Sequence, residues 1–161
     1  MIDKLDVKLI SELQKNGRES YLNLGKRIGV VEGTIRKRFR RLIEKEVIKV
    51  AAAPNLKQLG FNIIGITAIQ VNMEDLPRAA ESLAKDERVC YIASVAGRYD
   101  LIAIIVAKST DDLADFYEHR ISGLAGLQRS ETFVTLRVFK GSVPLADTIG
   151  LIETLGSSLE K

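Results

Sequence analysis

The sequence is poor in the residues that most often carry chemistry or covalent staples. Its 161 residues include one cysteine, one histidine, three prolines and no tryptophan. A lone Cys90 excludes an internal disulfide framework and fits a reducing, cytoplasmic setting. One histidine and one cysteine leave no cluster at metal-ligand spacing, and no glycine-rich phosphate loop is present. No metal, no cofactor and no catalytic residue are expected, so the sequence does not read as an enzyme. Cys90 falls in a predicted strand, where it suits a core as a small apolar side chain, and His119 falls in a predicted helix. Asp111, Asp112 and Asp115 gather near a helix N-terminus, where the helix dipole favours acids without any cation. No apolar run approaches the ~20 residues of a membrane span; the longest, Leu101 to Ala107, is strand-sized. The first residues lack the basic start and apolar run of a secretory signal, so neither membrane association nor export is expected.

What is present is a folding composition with an uneven charge. Hydrophobic residues make up 46% and charged residues 28%, the balance of a soluble, core-forming chain. Residues 1–60 hold 14 Lys/Arg against 7 Asp/Glu, a balance of +7, whereas residues 61–161 hold 10 against 14, a balance of −4. A basic module joined to a mildly acidic one suggests that one half meets a polyanion. Excess lysine on a surface helix would give the same count, so spacing has to decide.

The spacing predicts an α+β chain in three parts. Residues 1–50 read as a three-helix, winged-type helix-turn-helix domain. Leu5, Leu9, Ile10 and Leu13 follow helical spacing up to Asn16-Gly17. Ser20 caps a short second helix with Leu22, Leu24 and Ile28 on its apolar side. Gly29 then turns the chain into a third helix, Val31 to Lys45, whose Ile35, Phe39, Leu42 and Ile43 share a face. Val47 to Val50 reads as a short strand and residues 51–60 as a linker. Residues 61–161 alternate strand and helix. Phe61–Asn72, Val89–Ala96, Leu101–Ala107 and Thr132–Phe139 read as strands, and Glu74–Asp86 and Ser109–Ser122 as helices. That βαββαβ order is the ferredoxin-like arrangement, with one sheet face left for a partner subunit. Leu145, Ile149, Ile152 and Leu155 predict an extra C-terminal helix over Pro144–Leu159.

The third helix carries the functional signal. Five of the six residues 36–41 are basic, and Lys37, Arg40 and Arg41 are expected on a face opposite Ile35, Phe39 and Leu42. Arg36 and Gly33 border that face, and Thr34 lies in the first turn. This is the pattern of a recognition helix entering double-stranded DNA, where first-turn residues reach base edges and arginines grip guanine or phosphate. Arg38 lies off that face, placed to brace the motif or touch phosphate.

Taken together, these residues resemble the Lrp/AsnC (leucine-/asparagine-responsive, feast/famine) family of transcriptional regulators. The resemblance rests on Leu5-Asp6, Leu9-Ile10, Gly17-Arg18, Ser20, Leu24, Ile28-Gly29-Val30, Thr34-Ile35, Arg38, Leu42, Val47-Ile48 and Leu59-Gly60. It continues through Gly97-Arg98-Tyr99-Asp100-Leu101 and from Gly126-Leu127 through Thr132 to Phe139-Lys140. It implies a DNA-binding regulator whose second domain binds a small-molecule effector, an amino acid, and assembles homodimers into tetramers, octamers or larger rings. By position, Gly97, Arg98, Tyr99 and Asp100 would line the effector site, with Ser130 and Thr132 nearby. On the residues alone, Gly97 could equally supply a turn's positive φ and Asp100 bond its own turn. Three positions depart from the family pattern: Val31 where a capping Ser is usual, Gly25 for Ala, and Glu46 for Gly. Glu32 beside Val31 adds a negative charge near the DNA face. An oligomeric metabolite-binding protein with weak or lost DNA binding is the alternative that these departures keep open.

Overall fold

A computed structural model describes residues 2–140 and Ile152. It resolves two compact units, Met1–Ala52 and Ala53–Lys161. The expected helix over residues 144–159 lies outside the described residues, Ile152 apart.

The first unit packs three helices, α1 (Lys4–Lys15), α2 (Tyr21–Ile28) and α3 (Glu32–Glu44). Asp3 and Asp6 start α1 reciprocally. The Asp3 carboxylate accepts from the Leu5 and Asp6 backbone N–H groups, while Asp6 accepts from the Asp3 N–H, a capping box that satisfies free amides at both ends of the turn. Ser20 caps α2 by accepting from the Asn23 N–H at 3.2 Å. Gly29 ends α2 at φ 86°, ψ 35°, a left-handed conformation that glycine adopts without steric penalty. Leu9, Leu24, Ile35 and Leu42 form the buried centre of the unit, with Phe39, Val47 and Ile48 packed against them.

Two departures in this unit have local causes. Residues 47–50 form no strand among the described residues. Instead Val47 donates its N–H to Leu42 O and Glu46 to Ile43 O, the paired bonds of a Schellman end, with Val47 folded back against Leu42. The residue that must turn left-handed there is Glu46, at φ 53°. Gly25 also has a steric reason. A Cβ at this position would stand 2.6 Å from Val30 O, so the turn lies on α2 more closely than an alanine permits.

The second unit is an antiparallel sheet with helices on one face. Its elements are β1 (Ile63–Val71), α4 (Leu76–Ala84), β2 (Val89–Ser94), β3 (Leu101–Ala107), α5 (Thr110–Phe116) and β4 (Leu127–Val134). The strand order is β2-β3-β1-β4, with every pair antiparallel. The β1-α4-β2 crossover leaves a gap that β3 fills, which is the split-βαβ arrangement expected. Ile69, Leu101, Ala103 and Ile105 pack against Leu83, Phe116 and Ile121 on the helical side. After Phe116 the helix widens into one π-helical turn, Tyr117–Ile121, from which the Tyr117 hydroxyl hydrogen-bonds Thr132 Oγ1. Thr132 Oγ1 also meets Thr67 Oγ1 at 2.7 Å, so three hydroxyls satisfy one another inside the sheet–helix layer.

β4 lies five residues upstream of the expected Thr132–Phe139. Its register sets Val134 opposite Gly65, and the Thr135 N–H still reaches Ile64 O. Beyond that point β1 offers no partner, although the side chains continue to alternate. Leu136 and Phe139 are left 96% and 89% exposed.

The face away from the helices is apolar and open. Tyr91, Ile104, Ile66 and Phe133 are register partners that form a stripe across all four strands. Tyr91, Ile66 and Phe133 are exposed. Among the described residues, Leu56, Phe61 and Ile64 cover only the end of this face at Cys90 and Val106.

Candidate nucleic-acid interface

The outward face of α3 is built by what its other faces must do. Ile35 and Leu42 are buried, and Phe39 stacks at a tilt on Tyr21, 5.5 Å between ring centres. This fixes the rotation of the helix and leaves Gly33, Arg36, Lys37 and Arg40 exposed, with Thr34 half-buried. Among the described residues, Lys37 and Arg40 make no ion pair. Arg36 pairs with Glu32 at 2.5 Å across one turn, and its guanidinium stands 6.0 Å from the Tyr21 ring centre. That pair is exposed on both sides, so it is worth roughly 0–1 kcal/mol and opens readily. Val31 precedes the helix without a side-chain cap, 73% exposed.

Arg38 and Arg41 are placed differently. Arg38 Nη1 donates to Asp3 Oδ2 at 2.7 Å and Asp6 Oδ1 at 2.8 Å, and Arg41 Nη2 to Asp6 Oδ2. Arg41 thus departs from the expected trio of free outward cations: one edge of its fork is turned to α1. The Asp6 side chain has no exposed surface. Burial alone would raise its pKa, but the Asp3 N–H, the Arg38 hydrogen bond and the Arg41 charge outweigh that and lower it. The Arg38 hydrogen bond, then the Asp6 N–H, hold the Asp3 carboxyl down to about 2. Sequence reasoning missed Asp3 and Asp6 as partners of the basic helix. Their spacing at a helix start was the available signal, but it announces a cap and not the cations it will hold.

The turn from β2 to β3 is also specific. Gly97 has φ 152°. Asp100 is built into the sheet edge: its N–H donates to Ile69 O, its carbonyl accepts from Val95 N–H, and its Oδ2 accepts from the Val71 N–H at 3.0 Å. Asp100 also lines an open cavity of about 660 Å³ with Val71, Met73 and the polar Gln70, Asn72, Glu74 and Gln128, neighbours that no sequence signal had singled out. Tyr99 is half-buried beside Glu131, with a desolvated hydroxyl that completes no hydrogen bond. The six expected effector residues are not brought to one face. Ser130 and Thr132 pair with Ile69 and Thr67 on the helical side, and Thr132 is occupied by Tyr117 and Thr67. Arg98 is exposed.

A basic helix-turn-helix unit and a split-βαβ unit in one chain define a two-module transcriptional regulator. The sequence profile of the AsnC-type helix-turn-helix domain matches residues 2–43, and that of the Lrp/AsnC ligand binding domain matches residues 62–145. The chain belongs to the Lrp/AsnC family, whose members are transcriptional regulators and not enzymes. It is 29% identical over 141 residues to the HTH-type transcriptional regulator Ptr1 of Methanocaldococcus jannaschii, covering 87% of this chain and 95% of that one. It is 33% identical to an uncharacterized HTH-type transcriptional regulator of Pyrococcus abyssi, with the same coverage. The structure of E. coli AsnC superposes with a TM-score of 0.82 at 26% identity, covering 89% of this chain and 97% of that one. A Neisseria meningitidis transcriptional regulator in complex with L-Met has the same fold, with a TM-score of 0.82 at 19% identity over 90% of this chain and 96% of that one. Among the described residues, no helix is long and apolar enough to cross a membrane.

Proposed function

We propose that this regulator binds double-stranded DNA sequence-specifically through the outward face of α3, and that an amino acid or related metabolite alters its DNA binding or its assembly. The observation that carries the reading is the exposed, unpaired couple Lys37 and Arg40, one helical turn apart on a helix fixed by Ile35 and Leu42. Gly33 and Thr34 in the first turn approach base edges. Lys37, Arg40 and a released Arg36 meet phosphate or guanine. Arg38 and Arg41 of the same helix are turned toward Asp3 and Asp6 at the start of α1. The protein acts in the cytoplasm on this reading. A gel-shift titration with the protein's own upstream DNA at two salt concentrations tests it. A retarded complex that weakens steeply with salt is expected, and its absence even at low salt would overturn the reading.

The open sheet face supports self-assembly. The stripe Tyr91–Ile104–Ile66–Phe133 is what a second copy would cover, giving a homodimer that builds into a tetramer, octamer or larger ring. Light scattering after size exclusion should show at least a dimer, and Phe133→Glu should shift it toward monomer. For the effector, the Gly97–Asp100 turn beside the 660 Å³ cavity offers amides and carboxylates to both ends of an amino acid. An amino-acid panel should yield at least one ligand that raises the melting temperature or changes assembly size. A panel that moves neither would remove the sensor claim.

A further inference from the structure

The recognition helix carries more positive charge than it presents. Four arginines and one lysine occupy positions 36–41, yet two of the arginines are engaged by carboxylates of α1. We propose that Asp6, with Asp3, is a positioning residue that withholds Arg41 and Arg38 from DNA phosphate and so limits sequence-independent binding. The proposal rests on α3 being the DNA-contacting helix, and goes beyond it by assigning which of its cations are available.

The physical argument turns on which ion pairs can open. The Arg36–Glu32 pair is exposed, with side chains 60% and 40% accessible, so water replaces either partner when a phosphate competes. Asp6 has no accessible side-chain surface, and a carboxylate left there without its arginines would be a buried, uncompensated charge. A phosphate therefore competes well for Arg36 and poorly for Arg41 and Arg38. Neutralised arginines also have less power to displace condensed counterions, the source of sequence-independent affinity. Asp6 thus occupies inside the protein the place that a phosphate oxygen would take outside it. Because Arg38 also keeps Asp3, the cation that Asp6 chiefly controls is Arg41.

The test measures binding of the full-length protein to its upstream DNA and to a scrambled duplex of equal length, across a salt series. Arg40→Gln should reduce the slope of log affinity against log salt by about one, since each phosphate contact contributes roughly 0.9. Arg41→Gln should leave that slope unchanged. Asp6→Asn should steepen it by about one and raise affinity for the scrambled duplex more than for the upstream DNA. Adding Arg41→Gln to Asp6→Asn should cancel the gain. An Arg41→Gln loss equal to that of Arg40→Gln, or a folded Asp6→Asn variant with the parental slope, overturns the proposal. Should Asp6→Asn fail to fold, as judged by circular dichroism, the Arg40→Gln and Arg41→Gln pair decides alone. A parent protein that binds neither duplex overturns the DNA-binding reading itself, a distinguishable result.

Discussion

Each unit of this protein buries one aspartate against two arginines, and the two sites are put to different use. In the first, Asp6 holds Arg38 and Arg41 of the recognition helix. In the second, Asp86 takes both Nε and Nη2 of Arg88 at 3.1 Å, and Nε of Arg120 at 2.6 Å. Arg88 reaches on to Asp112 and Asp115, with its guanidinium 5.0 Å from the Phe116 ring centre. The Asp86 cluster ties the α4–β2 turn to α5 and the π-helical turn. The Asp6 cluster draws its cations from the face that meets DNA. The same chemistry therefore fixes a loop in one unit and subtracts charge from a functional surface in the other.

Replacing each acid by alanine is the strongest way to break this comparison. Asp6→Ala and Asp86→Ala should each destabilise by about 3 kcal/mol, the order seen when one partner of a buried ion pair is removed. Denaturant titration followed by amide hydrogen exchange would assign each loss to its own unit. Only the Asp6 change should alter the salt dependence of DNA binding. A change of slope in Asp86→Ala would erase the distinction.

Smaller effects sharpen it within the first unit. Gly25→Ala places a methyl 2.6 Å from a backbone carbonyl, and the turn before α3 must shift to admit it. A loss of about 2 kcal/mol is expected, with weaker DNA binding in the gel shift, since that turn aims the recognition helix. Glu46→Gly should act in the opposite direction. It relieves a left-handed residue at φ 53° and should stabilise by about 1 kcal/mol, read as a raised midpoint of thermal unfolding.

The last effect is read in acid and comes from Asp3. Its folded pKa of about 2 lies below the ordinary 3.8, so its contribution is present above about pH 4 and is lost as the pH falls toward 2. Asp6 and Asp86 are lowered in the same direction, so both units should soften on acidification. Asp3→Asn should reduce the acid dependence of the helical unit alone, as followed by circular dichroism between pH 5 and pH 2.

How much of this was legible in the sequence differs between the units for physical reasons. The helices of the first unit were readable because Leu9, Leu24, Ile35 and Leu42 repeat at helical spacing and because Ser20 and Gly29 punctuate them. The sheet order followed from the order of elements. What escaped was set by tertiary partners. Val47 and Ile48 look like a strand, but the helix end at Glu46 folds them into a core. Thr132 to Phe139 alternates well, yet a strand ends where its neighbour does, and β1 begins at Ile63. At the candidate DNA site, the position of Arg40 followed from the helical period. The fate of Arg41 did not, because Asp6 lies 35 residues away and shares no local pattern with it. The effector turn was legible as a turn, whereas Ser130 and Thr132 belong to the far side of their strand.

The linked hydroxyls of Thr67, Thr132 and Tyr117 have a consequence for how this family can drift. Each hydroxyl is satisfied by another side chain, so a change at one position leaves an unpaired hydroxyl at the next. Replacing all three by apolar residues of like shape leaves none behind. Across relatives these positions should therefore vary as a set, hydroxyl-bearing together or apolar together, with mixed combinations rare. A joint census of the three positions in aligned sequences would measure a packing constraint as an evolutionary correlation.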